Sequence, residues 1–487
     1  MQRYRAFVQP LVNNKGIIDV PASNESVSDW CTKLIHKSPD FPPLEDCLDA
    51  IAQLNNLTDL PAGTRVLVRG DTDVVVAEDG AIADDVRLRS LLETLNYGCE
   101  KKWVQIVYGH RGRDPEWSLE PVAAHLQKLL QDSGLPDAHV NFVDDWLDED
   151  TGEVLDSAAE FVANCENGSV VVLENTRRYT LERLLWNATE KDLPELAGRV
   201  ANYANSMREK LAAVHVNEGF AASNRDLSST IVPLTMDRCA LGRYIDSELR
   251  EYVTRARLAD LVIFSGIKIN KLDDLAQILN RGQVKMVIAA GSLAMALKKA
   301  SDDSFAMGLA DDPAQKIYIP PERIEQARRM LDVGKQSGVE FVLPIDFVLG
   351  DGSNSETIPA GEAQFDVGPK TVALQAKKIG EFIHYHSKKI SAENEPAVAF
   401  HNGVFGKFEE ERFSHGTEQF ISQLKRMHAA GVEVYVGGGE GGAALHRYGD
   451  ESWVTHCFTA GGTILKALGS EPIPYIKALY LNATANA

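Results

Sequence analysis

The chain has 487 residues, of which 44% are hydrophobic and 25% are charged, and its formal net charge is −20. That length predicts at least two domains, and the composition is typical of a soluble globular protein. The negative charge argues against a nucleic acid or an anionic membrane as a partner, and no apolar run is long enough to cross a bilayer. Six scattered cysteines without metal-type spacing indicate reduced thiols, so we expect a cytoplasmic protein.

Residues 1–55 fit no clear pattern, and we interpret them as an N-terminal extension. Phe41-Pro42-Pro43 breaks any helix, while Leu44 to Leu54 is compatible with a short one. From Thr64 onwards, apolar runs alternate with stretches of helical periodicity. The predicted strands are residues 65–69, 103–108, 140–143, 170–173 and 212–216. The predicted helices between them are residues 84–98, 118–130 and 193–203. This alternation predicts a parallel sheet that is covered on both faces.

Residues 241–257 are interpreted as a hinge helix, after which the alternation resumes. Residues 301–321 and 350–365 are polar and loop-like. The second set of predicted strands is residues 261–264, 286–290, 339–343, 397–400 and 432–436. We therefore predict an α/β fold with two Rossmann-like three-layer domains, each with a parallel sheet. The predicted boundaries are 56–240 for the first domain, a tail at 463–487 that packs back on it, 241–257 for the hinge, and 258–462 for the second domain.

Charged side chains follow the strands of the first half. Because ligands bind at the carboxyl ends of parallel strands, these residues are candidates for a site. They are Asp71, Asp73, Arg87, His110, Arg113, Arg177 and Arg225. Any one of these arginines alone is best explained by a surface salt bridge. Several arginines converging on one rim predict a small ligand with more than one negative charge, since guanidinium groups contact carboxylate and phosphate in bidentate fashion.

Glycines and lysines follow the strands of the second half instead. The run Gly437-Gly438-Gly439 lets backbone amides approach a phosphate, and the helix after it adds partial positive charge. Glu440 comes next, where a carboxylate could hold Mg²⁺ on that phosphate. Similar loops carry Gly266, Lys268, Lys271, Gly291 and Gly461. The absence of a Gly-x-x-x-x-Gly-Lys-Ser/Thr motif argues against a P-loop fold, and the pattern predicts phosphoryl transfer between a nucleotide and an anionic acid.

The motifs occur in the order found in one known family. From Thr58 to Pro474 the chain resembles phosphoglycerate kinase, as a divergent member with an N-terminal extension. The matching stretches are Arg65 to Asp73, Asp84 to Arg89, Gly109 to Arg113, Leu173 to Arg177, Val216 to Phe220, His401 to Glu409, the Gly437 run, and Thr459 to Gly462.

The resemblance implies a monomeric, cytoplasmic kinase of glycolysis that uses ATP/ADP and Mg²⁺ and acts on the carboxylate of 3-phosphoglycerate. It implies that the acid is held by Asp71, Asp73, Arg87, His110, Arg113, Arg177 and Arg225. The nucleotide would be held by Gly266, Lys268, Lys271, Gly291, Asn402, Glu409, Gly437, Gly438, Gly439 and Glu440, with Glu409 on the ribose and Glu440 on Mg²⁺. The implied catalytic residues are Arg87, Lys271, Gly438 and Gly461.

Several residues depart from the family pattern and leave other functions open. Asp73 replaces an asparagine, Asn224 and Leu227 replace two histidines, and Lys268 and Lys271 are one residue closer than usual. One alternative is the same mechanism on another small acid, with an amine that Asp73 would attract. A second alternative is a catalytically weak homologue that binds a ligand or a partner.

Overall fold

A computed structural model of the protein describes residues 24–35, 41–266, 268–469 and 472–485. Residues 1–23 and 36–40 of the predicted N-terminal extension therefore lie outside the described residues. The chain divides into two compact units: Met1–Arg250 with Glu471–Ala487, and Glu251–Ser470. Each unit contains its own parallel sheet of six strands, which confirms the predicted α/β fold class.

The first unit is built on a sheet in the order β3-β4-β2-β1-β5-β6, in which every pair of neighbours is parallel. Its strands are β1 (Arg65–Arg69), β2 (Val104–Tyr108), β3 (Val140–Val143), β4 (Val170–Leu173), β5 (Val214–Asn217) and β6 (Arg238–Leu241). In β1, Val66, Leu67 and Val68 are at most 1% exposed, although successive side chains point to opposite faces. Both faces are therefore covered, which explains the uninterrupted apolar run.

The register of the central strands determines where the site lies. Arg69 at the end of β1 is level with Tyr108 of β2 and with Asn217 of β5. The segments that carry Asp71 and His110 therefore leave the sheet side by side at one edge.

In the described residues, ten α-helices accompany this sheet before the chain leaves the unit. They are α1 (Asn24–Ile35), α2 (Leu44–Ala50), α3 (Val86–Ser90), α4 (Leu92–Glu100), α5 (Glu120–Asp132), α6 (Asp156–Ala163), α7 (Leu193–Ser206), α8 (Leu227–Thr230), α9 (Val232–Thr235) and α10 (Arg243–Ser247). The predicted helix 84–98 is two helices, divided at Leu91. Helix α1 packs against α7 and buries Trp30 and Leu34. The extension thus contributes part of the first unit's core.

The described residues of the second unit form nine strands in two sheets. They are β7 (Leu261–Phe264), β8 (Met286–Ala289), β9 (Glu340–Val342), β10 (Phe347–Leu349), β11 (Asn354–Ser355), β12 (Gln364–Val367), β13 (Val398–Asn402), β14 (Glu433–Gly437) and β15 (His456–Cys457). The parallel sheet has the order β15-β14-β13-β7-β8-β9, and β11-β10-β12 form a separate antiparallel sheet. The prediction that 350–365 is loop-like is therefore wrong in part. Strands of two to four residues leave too short a stretch for an alternating pattern to be visible.

The helices of the second unit begin mostly where a strand of the large sheet has ended. They are α11 (Thr254–Ala256), α12 (Lys271–Leu279), α13 (Gly291–Ser301), α14 (Pro321–Ser337), α15 (Pro369–Glu393), α16 (His415–Ala429), α17 (Glu440–Tyr448) and α18 (Gly461–Leu468). The last helix, α19 (Pro474–Ala485), belongs to the first unit and packs against α2, α8 and α9. Among the described helices, none is both long and apolar enough to cross a membrane.

Candidate active site

In the first unit, an arginine and two carboxylates meet beyond the end of β1. Nη1 of Arg87 lies 3.3 Å from Oδ2 of Asp73 and 3.9 Å from Oδ1 of Asp71. The same nitrogen donates to the backbone oxygen of Asp73 at 2.8 Å. Burial lowers the pKa of Arg87, but the two carboxylates outweigh it, and the pKa is raised. Arg87 therefore stays charged although it is largely enclosed.

His110 is held in one tautomer by a buried arginine. Nη2 of Arg69 lies 2.9 Å from Nδ1 of His110, and since a guanidinium can only donate, Nδ1 must accept. Burial, together with the positive charge of Arg69, lowers the pKa of His110 well below its usual value. The imidazole is therefore neutral, and its proton sits on Nε2, 3.8 Å from Oδ2 of Asp73.

Arg177 is fixed from three sides. Its Nη1 donates to the backbone oxygen of Gly112 at 2.9 Å, and its Nη2 donates to Oδ2 of Asp226 at 3.3 Å. The ring of Trp186 lies 4.9 Å from the guanidinium carbon, and Trp186 Nε1 donates to Asp226 at 2.5 Å. The Nε of Arg177 is buried and has no hydrogen-bond partner. One donor thus remains for a ligand.

Two further arginines of the predicted set lack a carboxylate partner among the described residues. Nη2 of Arg225 donates to the backbone oxygen of Trp186 at 3.1 Å, and its buried Nη1 has no partner. Arg113 follows Gly112, is exposed, and makes no hydrogen bond or ion pair with the described part of the chain. Contacts therefore link six of the seven predicted acid-binding residues, directly or through Arg69, Asp226 and Trp186, and the seventh, Arg113, is next to Gly112 in the chain.

The sequence interpretation missed the buried residues that hold these arginines. Arg69 is fully buried, donates from Nε to Ser228 Oγ at 2.8 Å and from Nη1 to Gly70 O at 2.6 Å. Ser228 Oγ in turn donates to Glu182. Burial and the nearby Asp226 raise the pKa of Glu182 to about 7. An arginine that ends an apolar strand was the available signal for Arg69, but its side-chain partners His110 and Ser228 are 41 and 159 residues away.

In the second unit, Gly266 and Gly291 pack backbone against backbone. Both have positive φ, +123° and +63°. A Cβ on Gly291 would lie 2.4 Å from the oxygen of Gly266, and Ser292 N donates to that oxygen at 3.0 Å. Only glycine permits this approach, which joins the end of β7 to the start of α13.

Lys271 opens α12 beside this pair of glycines. Its Nζ donates to the backbone oxygen of Ser265 at 2.5 Å, and a Cβ on Gly266 would lie 2.9 Å from that nitrogen. Burial lowers the pKa of Lys271, and Glu440 opposes this shift. Lys268 is exposed and near enough to contribute to the same shift.

Three other glycines, Gly437, Gly438 and Gly461, also pack without room for a side chain. A Cβ on Gly438 would lie 2.0 Å from the oxygen of Phe458, and one on Gly461 would lie 2.6 Å from the oxygen of Gly438. A Cβ on Gly437 would lie 2.5 Å from Nδ2 of Asn402, which ends β13. Gly439 has φ +70°, with open space beside it. The ends of β13 and β14 and the start of α18 therefore form one tight glycine cradle.

The residues present fit a magnesium ion that is bound mainly by a nucleotide. In the described part of the chain, no group of three or more His, Cys, Asp or Glu could hold a metal. Glu440, exposed at the first turn of α17, offers one carboxylate beside the glycine cradle. Mg²⁺ commonly takes one or two carboxylates, substrate phosphates and water, so a single carboxylate is compatible with it.

Glu409 is not linked by any described contact to the other predicted nucleotide residues. It is exposed, and its neighbour Phe408 accepts a hydrogen bond from the Tyr448 hydroxyl at 3.1 Å. Tyr448 ends α17, which Glu440 begins, and eight residues of helix span about 12 Å. Glu409 thus lies near the far end of α17, and its role on the ribose stays a prediction.

A buried histidine that was not predicted supports the lysine loop. His401 is 1% exposed in β13, and its Nε2 donates to Gly403 O at 2.7 Å. Burial lowers its pKa to about 4, so the ring is neutral. A Cβ on Gly403 would lie 2.2 Å from the oxygen of Ser265, the atom that accepts from Lys271. His401 therefore orients the turn on which Ser265 rests.

A comparison with known proteins identifies the family. The model of the phosphoglycerate kinase family matches residues 57–471. The chain belongs to the phosphoglycerate kinase family. It is 30% identical over 431 residues to phosphoglycerate kinase from Clostridium beijerinckii, covering 86% of this chain and 96% of the relative. The corresponding enzyme from Thermosipho africanus is 28% identical over 436 residues, covering 86% and 95%.

Solved structures of the family share the fold. Phosphoglycerate kinase from Coxiella burnetii has a TM-score of 0.64 at 24% identity and covers 88% of this chain and 98% of its own. The enzyme from Pyrococcus horikoshii has a TM-score of 0.66 at 20% identity, covering 89% and 100%. Family membership makes this chain a phosphotransferase with a carboxyl group as acceptor, as the sequence predicted. The roles of the individual site residues stay predictions.

Proposed function

We propose that the protein transfers a phosphoryl group between ATP and the carboxylate of 3-phosphoglycerate, with Mg²⁺ bound to the nucleotide. The observation that carries this proposal is the connected set of arginines beyond β1, β2 and β5. In that set Arg87 and Arg177 have carboxylate partners, whereas Arg113 and Arg225 have none within the described part of the chain. Two guanidinium groups without a carboxylate partner among the described residues suit a phosphate dianion.

The acid would lie with its two charged ends in different surroundings. Its phosphate would accept hydrogen bonds from Arg113, from Nη1 of Arg225 and from Nε of Arg177. Its carboxylate would then extend towards Arg87 and the Nε2–H of His110. Phosphoryl transfer depends mainly on positioning and on neutralising charge, so Arg87, which is charged and half enclosed, is suited to stabilise the transferring group.

The reaction needs no nucleophilic side chain. A carboxylate oxygen of the acid attacks the γ-phosphorus of ATP, the bond to the β,γ-bridging oxygen breaks, and the products are an acyl phosphate and ADP. The reverse direction uses the same groups. Because the attacking carboxylate and the transferred phosphoryl group both belong to the substrates, the protein has only to align the two substrates and to exclude water.

The nucleotide phosphates would rest against the glycine cradle of the second unit. Gly438 and Gly461 present backbone without a side chain in front of it, and α17 and α18 direct their positive ends there. Lys268 and Lys271 would contact the phosphates as point charges. Mg²⁺, held by Glu440 and the phosphates, would supply further charge neutralisation when bound.

The alternative of an amine-bearing acid lacks a supporting observation. It was motivated by the extra carboxylate of Asp73, which would attract an ammonium group. That carboxylate already accepts from Gly112 N at 2.7 Å and lies 3.3 Å from Nη1 of Arg87. The negative charge of Asp73 is thus compensated by Arg87 and Gly112 N and does not require an ammonium group of a ligand.

A coupled assay with ATP, Mg²⁺ and 3-phosphoglycerate tests the proposal. We expect turnover that is lost when any one of the three is omitted. Absence of turnover, with ATP binding retained in calorimetry, would refute 3-phosphoglycerate as the acid. A thermal-shift screen of phosphorylated hydroxy and amino acids would then identify the replacement, because a ligand that binds the folded state raises the melting temperature.

We also propose that the protein works as a monomer in the cytosol. All six cysteines are free, and burial raises the pKa of Cys31 and of Cys47 to about 12, which makes both thiols unreactive. One relative, from Triticum aestivum, is a cytosolic phosphoglycerate kinase. Light scattering on the eluted protein should give one chain of 53.4 kDa, and a mass of two chains would refute the monomer.

A further inference from the structure

Asp73 occupies the position where an incoming anion would be expected. Three donors converge on its carboxylate. Gly112 N donates to Oδ1 at 2.7 Å, while Nη1 of Arg87 and Nε2 of His110 lie 3.3 Å and 3.8 Å from Oδ2. A backbone amide, a guanidinium and an imidazole N–H are the groups that bind a carboxylate or a phosphate oxygen. The site is thus filled by a carboxylate of the protein itself.

The neighbouring Asp71 differs from Asp73 in a way that separates their roles. Asp71 is 3% exposed, and its Oδ2 accepts from Ala221 N at 3.1 Å. It lies 3.9 Å from Arg87, farther than Asp73 does. The side chain of Asp73 is 33% exposed and can be reached from solvent. Asp71 is therefore a fixed part of the wall, and Asp73 is the carboxylate that can exchange.

We propose that Asp73 is an internal competitor for Arg87, which the acid substrate must displace before that arginine can bind it. The proposal rests on the proposed function, in which Arg87 receives an anionic group of the substrate. While the site is empty, the ion pair keeps Arg87 charged and oriented. When the acid binds, one of its carboxylate or phosphate oxygens replaces Oδ2 of Asp73 next to Arg87. The free energy needed to break the Asp73–Arg87 ion pair makes the binding free energy of the acid less favourable. Asp73 thereby sets the affinity for the acid and leaves that for the nucleotide unchanged.

The central variant is Asp73→Asn, because the amide oxygen can still accept from Gly112 N while the competing charge is gone. We expect it to bind 3-phosphoglycerate about two- to fivefold more tightly in calorimetry without nucleotide, the range that corresponds to one partly exposed ion pair. In steady state the KM for the acid should fall, and the KM for ATP should stay the same. Asp79→Asn is the matched control, since this exposed carboxylate in the same segment only accepts from Ala81 N. It should leave both constants unchanged.

Removing a negative charge would strengthen anion binding even without competition, so a double-mutant cycle is needed. In an Arg87→Ala background there is no guanidinium to compete for, and Asp73→Asn should give no further gain. An equal gain in both backgrounds would show simple repulsion and overturn the proposal. Weaker or unchanged binding in the single variant would overturn it as well.

Two further measurements keep the outcomes separate. If the wild-type protein does not turn over 3-phosphoglycerate, the proposed function fails, while inorganic phosphate as the calorimetric probe still decides the cycle. Tighter phosphate binding that depends on Arg87 supports the competition, and binding that does not depend on Arg87 refutes it. Circular dichroism verifies folding, and if Asp73→Asn does not fold, Asp73→Ser replaces it in the same cycle.

Discussion

The proposed anion sites of the two units are built from different kinds of groups. In the first unit the proposed ligand-binding groups are side chains, and the buried arginines are held mainly by partners from distant parts of the chain. Arg69, for example, contacts Ser228, Gly70 and His110. In the second unit the groups are mainly backbone, and the defining contacts are glycines such as Gly438, at which a Cβ would collide with neighbouring backbone.

This difference has a physical reason in the ligands. A small acid offers few atoms, so the site must place several full charges close together, which demands buried counter-charges to hold them. A nucleotide offers a polyphosphate chain along which many backbone amides can lie, so shape counts more than charge. Substitutions in the first unit should therefore act through the charges that surround the acid, and those in the second unit should act through the shape of the backbone that surrounds the nucleotide.

The largest effect is expected for Arg87→Ala. Removing this guanidinium should lower kcat by about a thousandfold or more, since a charge that stabilises a transferring phosphoryl group contributes that much. The affinity for ATP, measured by calorimetry, should stay within twofold of wild type, roughly the scatter expected for independent sites.

Arg89→Ala on the same helix is the control for that variant. Arg89 is exposed and pairs with Asp85 four residues before it, so its loss should leave kcat unchanged. If Arg87→Ala weakened ATP binding as strongly as it lowered kcat, the division of labour between the two units would be wrong.

A smaller effect is expected for Gly438→Ala in the second unit. Its Cβ would meet the Phe458 oxygen at 2.0 Å, so the loop must shift. Overpacking of this kind costs about 1–3 kcal/mol, or roughly five- to 150-fold in affinity if it falls on the bound state. ATP binding should weaken, and binding of 3-phosphoglycerate should not change.

Gly462→Ala is matched to Gly438→Ala, because nothing lies within 4 Å of a Cβ at that position. Both variants add one methyl group to the same loop region, and only one of them collides. Equal loss of ATP affinity in the two variants would mean that close packing is not what the cradle depends on.

The smallest effect concerns stability and comes from a histidine inside the first sheet. His215 is fully buried in β5, both ring nitrogens lack a partner, and burial together with Arg69 lowers its pKa from 6.5 to about 3. His215 is therefore protonated near pH 6.5 in the unfolded chain but only near pH 3 in the folded chain. Stability from this residue is complete above pH 6.5 and is lost as the pH falls towards 3, by about 2 kcal/mol at pH 5.

Urea unfolding of His215→Leu at pH 7 and pH 5 measures that contribution. The difference in free energy of unfolding between variant and wild type should move in favour of the variant by about 2 kcal/mol on going to pH 5. His139→Gln, at an exposed position, is the control and should show no such change. A difference that does not depend on pH would mean that His215 is protonated in the folded protein.

Much of the fold could be predicted, because long apolar runs are a local signal. The strands at 140–143, 170–173 and 261–264 have the predicted bounds. Strand β6 and the strands β10, β11, β12 and β15 were missed. They are two to four residues long, and pairing with neighbours far along the chain makes them strands. The break at Leu91 between α3 and α4 likewise has no local signal in a stretch of continuous helical periodicity.

The candidate site could be predicted only as far as positions at strand ends. Asp71 and His110 follow apolar strands, and the fold brings them to one edge of a sheet. The buried partners Asp226 and Glu182 could not be recognised in this way. Asp226 lies 49 residues from Arg177, and Glu182 lies more than a hundred residues from Arg69. A carboxylate in a polar stretch also looks like any solvated residue.

The amino-acid sequence by itself determined the fold class, the family and the set of residues at the strand ends. These follow from local periodicity and from motifs whose order does not depend on packing. Only the tertiary structure decided which charges meet: Asp73 pairs with Arg87 and Asp226 pairs with Arg177, while no described carboxylate pairs with Arg113 or Arg225. Ion pairing depends on distances of a few ångströms between residues far apart in the chain, and those distances exist only once the strands are in register.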